Sequence, residues 1–395
     1  MMGREHIKNV ALIPEPRPVI VAIFEPDVGM RSAALELLKN GTKNGTKNDA
    51  IEDEDDDVNM KDPDSASAEA SLEAVLSRQD LDALIICSPN FFHAEQLQAI
   101  FSRARGKALA VLVEKPACTR LEDVASLRRF ASSHPAPLWV AMEYRWMPAI
   151  AEFVKLATSA TGGVTMLTLK EHRYAFLRKV GHWNRFNRNT GGTLVEKACH
   201  FFDLMRLVMR DDPIRVFASG GQNHNHADEF YSDGGTPDII DNAYVILEFP
   251  HNRRACLELC MFAEGSRYQE ELTAIGPKGK IECKVPGPTR FWPDHLGDPP
   301  VASLVISPRH PAGPVEVAIP VDKDLLEAGD HNGSTFYQHC HFARAVAAAV
   351  ANEAARVEVS LYDGLKAVLI GLAAEASAAS GVAIDFAHSQ YSLSF

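Results

Sequence analysis

The sequence predicts an α/β protein in two parts: an incomplete doubly wound parallel-sheet domain over residues 1–145, then an α+β domain with a large, mostly antiparallel sheet over 146–395. Two observations lead there. Through residue 142, continuous apolar runs alternate with helical stretches, as a parallel sheet covered on both faces requires. Beyond Trp146 that alternation stops, and a long helical stretch is followed by several strand-like runs in succession.

In chain order, the first domain offers an apolar run at 19–24, a helical stretch at 30–38 and a short helix at Leu72–Ser77. Strands at 81–87, 108–113 and 138–142 then alternate with helices at 91–103 and 121–131. The second domain reads as a helix at 193–209 and strands at 214–219, 243–249, 255–261, 271–275 and 280–283. Helices near 335–352 and 362–380 follow. Residues 40–70 interrupt the first domain with an NGTK repeat, an acidic block and almost nothing apolar, which reads as a disordered surface insertion. An acidic docking segment, or glycosylation at its two NGT triplets, is the weaker reading.

Of the net charge of -12 over 395 residues, half falls in 40–64, where nine acids face three lysines, so the rest is only mildly acidic. That balance argues against a general nucleic-acid binder, and no apolar run of ~18 residues suggests a membrane span. No basic-then-apolar leader is visible, so a cytoplasmic location is expected. The seven scattered cysteines (Cys87, Cys118, Cys199, Cys256, Cys260, Cys283, Cys340) read as reduced, buried thiols.

Three features of the first domain suit a dinucleotide. Glu25 follows the apolar run, where a carboxylate accepts hydrogen bonds from ribose hydroxyls and repels a 2'-phosphate. That favours NAD over NADP, although Glu-Pro-Asp is equally good turn chemistry. Ser88, Pro89, Asn90 and His93 sit where a strand gives way to a helix, the carboxyl edge at which open α/β sheets bind ligands; ordinary capping would look the same. Glu114-Lys115-Pro116 ends the next strand and places a cation over that edge. In the second domain, Gly191-Gly192 and a capping Thr193 open a helix. On it Glu196, His200 and Asp203 follow at spacings of four and three, so a carboxylate and an imidazole share one face. A His titrating near neutrality, placed by an acid, suits removal of a hydroxyl proton as hydride leaves a carbinol. A partly exposed helical His with a neighbouring acid is the blander reading. His224, His226 and His339-Cys340-His341 offer imidazole and thiolate that suit zinc, but neither cluster has a well-spaced second half, and no metal is expected.

In this order the residues resemble the Gfo/Idh/MocA oxidoreductases, the family named for glucose-fructose oxidoreductase and inositol dehydrogenase, over nearly the whole chain. The resemblance rests on the acid-ended strand, the 88–93 turn, Glu114-Lys115-Pro116 and Tyr144-Arg145-Trp146-Met147-Pro148. It continues through Trp183-Asn184-Arg185, Gly191-Gly192 with an acid four residues before His200, and Asp241-Asn242-Ala243-Tyr244. It implies a Rossmann-type domain plus an α/β domain whose sheet often mediates homo-oligomers. It also implies hydride transfer between NAD(P) and a hydroxyl of a sugar, inositol or related diol. Lys115 would stabilise the reacting oxygen, His200 act as acid/base, and Glu196 hold substrate or His200. Tyr144, Arg145 and Arg185 would meet substrate, and Trp183 the nicotinamide. Many members carry Asp where this chain has Glu196, which puts the substrate geometry in doubt. The family's opening strand and G-x-G-x-x-G turn are not seen; Gly3 fits the third glycine, 22 residues before Glu25, and the sequence reads as truncated upstream. A NAD-assisted glycosidase, or a dinucleotide-binding regulator without turnover, is the alternative.

Overall fold

The structure is a computed structural model that describes residues 2–14, 17–44, 66–103, 109–232 and 235–395. The first domain runs α1 (Met2–Ala11), β1 (Ala22–Ile23), α2 (Val28–Asn44), β2 (Ser67–Ala68), α3 (Leu72–Ser77), β3 (Ala83–Ile86), α4 (His93–Arg103), β4 (Ala110–Val113), α5 (Leu121–Ser133) and β5 (Leu138–Val140). There follow α6 (Pro148–Thr161), β6 (Met166–His172), the short helices α7 (Asn187–Thr190) and α8 (Thr193–Glu196), and α9 (Cys199–Met209). The remainder is β7 (Arg215–Gly221), β8 (Asn242–Phe249), β9 (Arg253–Cys260), β10 (Glu270–Gly276), β11 (Gly279–Val285), β12 (Ala302–Pro308), β13 (Val315–Ile319), α10 (Lys323–Ala328), α11 (Ser334–Val350), α12 (Leu361–Ser380) and β14 (Ile384–Asp385).

The parallel strands lie in two groups among the described residues, β1–β2 and β3–β4–β5. In the second group β4 is buried along its whole length, so its Ala-Val-Leu-Val run needs no polar alternation. The large sheet has nine strands in the order β13-β12-β11-β10-β6-β9-β8-β7-β14. It is antiparallel throughout except where β6 runs parallel to β9, with Leu169 opposite Leu257. Strands such as β9 and β11 alternate strictly, because among the described residues one face packs on helices and the other does not, whereas β12 and β13 at the sheet's end do not alternate.

Helix α12 stitches the parts together. Ser360 caps it through a reciprocal capping box with Asp363, and Gly381 in the left-handed region ends it. At Gly371 a side-chain carbon would come within 2.6 Å of the Leu194 carbonyl, so only glycine lets α12 lie this close to α8. One apolar core, including Val111, Trp139, Phe201, Leu257 and Leu365, spans both sheets.

Several expectations are corrected. The strand at 19–24 shrinks to Ala22–Ile23, with Pro18 ahead of it unable to donate to a ladder. Helix α2 runs on to Asn44, and Ser67–Ala68 pairs with β1, so both ends of the 40–70 insertion are structured; its acidic middle lies outside the described residues. The helix at 193–209 breaks into α8 and α9 at Lys197-Ala198. Of the seven cysteines only Cys118, Cys199 and Cys283 are buried, and Cys87 is exposed. The elements α6, β6, α7, β12, β13 and α10, and the two-residue strands β2 and β14, lie outside those expected from the sequence.

Candidate active site

The site forms where the carboxyl ends of β3, β4 and β5 meet the α8–α9 break. At the end of β4, Lys115 follows Val113-Glu114, and its ammonium donates to the Glu196 carbonyl at 2.9 Å. Burial opposes charge there, but neighbouring Cys199, Glu143, Glu196 and Glu114 more than offset it and raise Lys115 above its ordinary value, so it stays cationic. Gly192 sets the entry to α8: at φ +99, a side chain on it would strike the Glu375 carboxylate at 2.2 Å. That carboxylate accepts from the Leu194 amide at 2.7 Å and so caps α8 in place of the expected Thr193, whose hydroxyl donates to the Ile240 carbonyl.

His200, in the first turn of α9, is buried and lies flat on Tyr144, ring centroids 4.2 Å apart and 8° from parallel. Burial, then the cations of Lys115 and Lys197, holds its titration well below the usual imidazole range, so it is neutral at pH 7 and can accept a proton. Its expected carboxylate neighbours are elsewhere. Asp203 is fully buried and engages Arg145 through two bonds of 2.5 Å; the carboxylate facing the His200 Nε2 is Glu143, at 3.5 Å. The Glu196 carboxyl is raised by burial, and its Oε2 is buried without a partner, as are His200 Nδ1, Glu143 Oε2 and Asn90 Nδ2. Four unsatisfied buried polar atoms at one edge call for a ligand's hydroxyls or amides, since native interiors pair nearly all such groups.

A second tier of charge lies beneath. Lys197, lowered to about 8 by burial, donates to Tyr144 Oη at 2.6 Å and pairs with Glu171 at 2.8 Å. Arg173 joins the same Glu171, and Lys179 and Arg185 lie within electrostatic reach of Glu196. Trp183 meets Phe91 edge to face at 6.0 Å, which brings the 88–93 turn and the 183–185 segment together. Arg185 is buried and paired with Glu229 at 3.0 Å.

Other sequence candidates take different roles. Arg145 directs its guanidinium to Asp203 and the Glu358 carbonyl, which withdraws it from substrate contact and makes it a brace between the turn at Glu143–Trp146 and α9. His93 is fully buried, with ring nitrogens 2.8 Å from the Pro116 carbonyl and 2.9 Å from that of Ser88; it locks the two turns together instead of facing a cofactor. The Glu114 carboxylate is buried against His6 at 3.0 Å. Ser88 donates to Gln96, Pro89 opens a single helical turn, and Glu25 accepts from the Asp27 amide at 3.0 Å. Gly3 lies in the first turn of α1, where an added Cβ would stand 3.1 Å from Cys87 Sγ. His339 and His341 turn to different partners, His6 and Glu358.

The residues missed from sequence are Glu143, Lys197, Arg173, Glu171 and His331. Glu143 and Lys197 adjoin Tyr144 and Glu196, and a charged residue inside a buried strand-end motif was an available signal. His331, alone in an Asp-His-Asn-Gly turn, had none.

Comparison with known proteins follows the same division. A model described as "Oxidoreductase family, NAD-binding Rossmann fold" matches residues 2–142, and one described as "Oxidoreductase family, C-terminal alpha/beta domain" matches 156–386. Inositol 2-dehydrogenase of Rhizobium meliloti is 26% identical over 215 residues, 54% of this chain and 60% of that protein. A D-xylose 1-dehydrogenase (NADP(+)) of Haloferax volcanii is 28% identical over 39% of this chain and 45% of its own length. The chain thus aligns with less than two thirds of these curated relatives. Levoglucosan dehydrogenase in complex with NADH and levoglucosan shares the fold at a TM-score of 0.71 and 18% identity, covering 98% of this chain and 96% of that one. A putative myo-inositol dehydrogenase from Sinorhizobium meliloti does so at 0.68 and 19%, covering 97% and 96%.

Proposed function

Because the chain belongs to the Gfo/Idh/MocA oxidoreductase family, we propose that it transfers a hydride between NAD(P) and a hydroxyl of a sugar, inositol or related diol. The observation that carries this is the neutral, buried imidazole of His200 within the field of the Lys115 cation, beside unpaired polar atoms that await a ligand. His200 takes the hydroxyl proton, Lys115 stabilises the oxygen as negative charge develops, and Glu196 Oε2 accepts a second substrate hydroxyl. A vicinal diol suits that pairing, and relatives named for inositol, xylose and levoglucosan support the class.

Nicotinamide supplies the hydride acceptor when bound. Residues on its side of the site fit: Asn90 Nδ2 lies buried without a partner, Trp183 offers a flat face, and Lys115 stands at the strand edge. Glu25 would take the adenosine ribose, which favours NAD over NADP, and Ser88, Pro89 and Gly3 would shape the groove between. Arg185 and Tyr144 bound the substrate side. We assign nucleotide binding to residues 1–145 and substrate binding to 146–395, place the protein in the cytoplasm on its unpaired thiols, and assign self-association to the outer sheet face.

The test is titration calorimetry with NAD+ and NADH, followed by NADH absorbance with a panel of polyols and aldoses. Binding plus turnover that Lys115→Met and His200→Asn abolish supports the reading. Absence of dinucleotide binding sinks it.

A further inference from the structure

His200 is buried, and a proton it takes from substrate must reach water. Its Nδ1 has no partner, while its Nε2 faces Glu143 Oε1 at 3.5 Å, so the ring can receive a proton on one nitrogen and release one from the other. The same Glu143 oxygen stands 3.9 Å from His331 Nε2. His331 is 22% exposed at its side chain, against 2% for Glu143, and its Nδ1 pairs with Glu5 Oε1 at 2.8 Å. Glu5 in turn lines an open groove of about 920 Å³ with Arg4, Lys8, Arg290, Gly329 and Asp330. The imidazole, carboxylate and second imidazole therefore form a file from the buried site to solvent.

We propose that Glu143 and His331 carry the proton between His200 and solvent, leaving the site on the side of α1. This rests on the hydride-transfer reading above. In the oxidative direction the substrate C–H bond breaks and its electron pair goes as hydride to NAD+. The hydroxyl proton moves to His200 Nδ1, the Nε2 proton to Glu143, the Glu143 proton to neutral His331 Nε2, and one proton from His331 to water. Reduction runs the file in reverse. The 3.9 Å step needs a shift of roughly 1 Å or one bridging water.

The charges facing these groups fit the task. Glu143 is met by Glu114 and Lys115 at the end of β4, by Cys199 and His200 on α9, and by His331 ahead of α11. Burial, opposed by His331, pushes it up to about 7, where it accepts and releases a proton with equal ease. His331 is met by Glu5 from α1, by Glu143 and by Lys197; burial disfavours its charge, but Glu5 raises it to about 9. It is thus a cation at rest, ready to donate inward, and outward flow speeds up as pH approaches 9.

The test compares the intact chain with His331→Gln and Glu143→Gln, using NAD+ and whichever polyol of a panel including myo-inositol yields NADH. Three quantities are read: steady-state kcat against pH, single-turnover hydride transfer by stopped flow, and the effect of added imidazole buffer. We expect His331→Gln to lower kcat roughly tenfold, to lose the rise in oxidation toward pH 9, to leave single-turnover hydride transfer within about twofold, and to recover with imidazole. Glu143→Gln should lose turnover without recovery, and Glu143→Asp should regain part of it. A kcat in His331→Gln equal to the parent's, or one reduced but indifferent to imidazole, overturns the relay while the dehydrogenase stands. A parent chain that yields no NADH with any polyol overturns the functional reading and the relay with it.

Discussion

At the scale of single residues, the site's chemistry depends on which groups keep their charge when buried. Lys115 keeps it because carboxylates surround it, and a cation at the reacting oxygen contributes most in a site shielded from water. Lys115→Met should therefore lower kcat/KM for polyol oxidation about 10²–10³-fold, measured by initial rates on variant protein whose far-ultraviolet dichroism matches the parent's. His200 loses its charge for the converse reason. Oxidation needs it neutral, and its titration is depressed first by burial and then by Lys115 and Lys197, so kcat/KM should stay on its plateau as pH falls through ~6.5, where an ordinary imidazole would protonate. Removing a neighbouring cation raises an imidazole's pKa, so Lys197→Met should move the acid limb to higher pH. A pH profile whose limb stays put would show that Lys197 does not act on His200.

At the scale of elements, the contact between α1 and the start of α11 is fastened by Glu5, which accepts from His331 and from Thr335, both at 2.8 Å. Burial would raise Glu5, yet His331, Thr335 and His6 pull it down to about 2, and Glu5 holds His331 up at about 9. Because the His331 pKa is raised on folding, its contribution is fully present below its unfolded value of ~6.5 and is lost as pH rises to about 9. The Glu5 contribution is lost only in acid, as pH falls from ~4.5 towards about 2. Urea midpoints should thus fall between pH ~6.5 and 9, and His331→Gln should flatten that slope. The buried Arg145–Asp203 pair is a second clasp, from the turn after β5 to α9: Arg145→Met should cost about 3–5 kcal/mol, and adding Asp203→Leu should recover part of it. Such clasps explain what the sequence hid. Lys115, Glu196, His200, Tyr144 and most strands were legible because motif spacing and apolar periodicity are local. Glu5–His331 joins residues 326 apart, so no pattern could pair them. The 193–209 stretch reads as one helix because its apolar periodicity continues through Lys197-Ala198, while the backbone divides there into α8 and α9. β13 is hard to read because Val315, Val317 and Ile319 alternate only over five residues between Pro314 and Pro320, and the strand is exposed on nearly every residue.

At the scale of the whole molecule, the nine-stranded sheet packs on helices on one face, and among the described residues none covers the other. On its other face, Phe217, Ile246 and Cys256 stand in one row across β7, β8 and β9, with Tyr244 one pair along from Ile246 on the same face. Tyr244 is 58% exposed, Ile246 43% and Phe217 41%. Single exposed apolar residues are ordinary, but a contiguous aromatic and aliphatic row on a flat sheet is the surface a two-fold partner buries. Its neighbours agree: Glu258, opposite Tyr244, lies 2.9 Å from His172 Nε2, so the carboxylate bordering the patch already has a polar partner within the chain. A sheet-to-sheet interface at ~25 cal/mol per Å2 of apolar surface needs on the order of 1,000 Å2 or more to hold at micromolar concentrations, and the face of nine strands is broad enough to supply it. Sedimentation velocity should therefore find an assembly larger than the 43.3 kDa chain, and Tyr244→Lys with Ile246→Asp should reduce it to single chains that keep their far-ultraviolet dichroism. Because both side chains point away from His200, the dissociated form should retain hydride transfer. Loss of turnover together with assembly would mean that the interface also shapes the substrate pocket, whereas a parent chain that sediments as a monomer would show this face to be free.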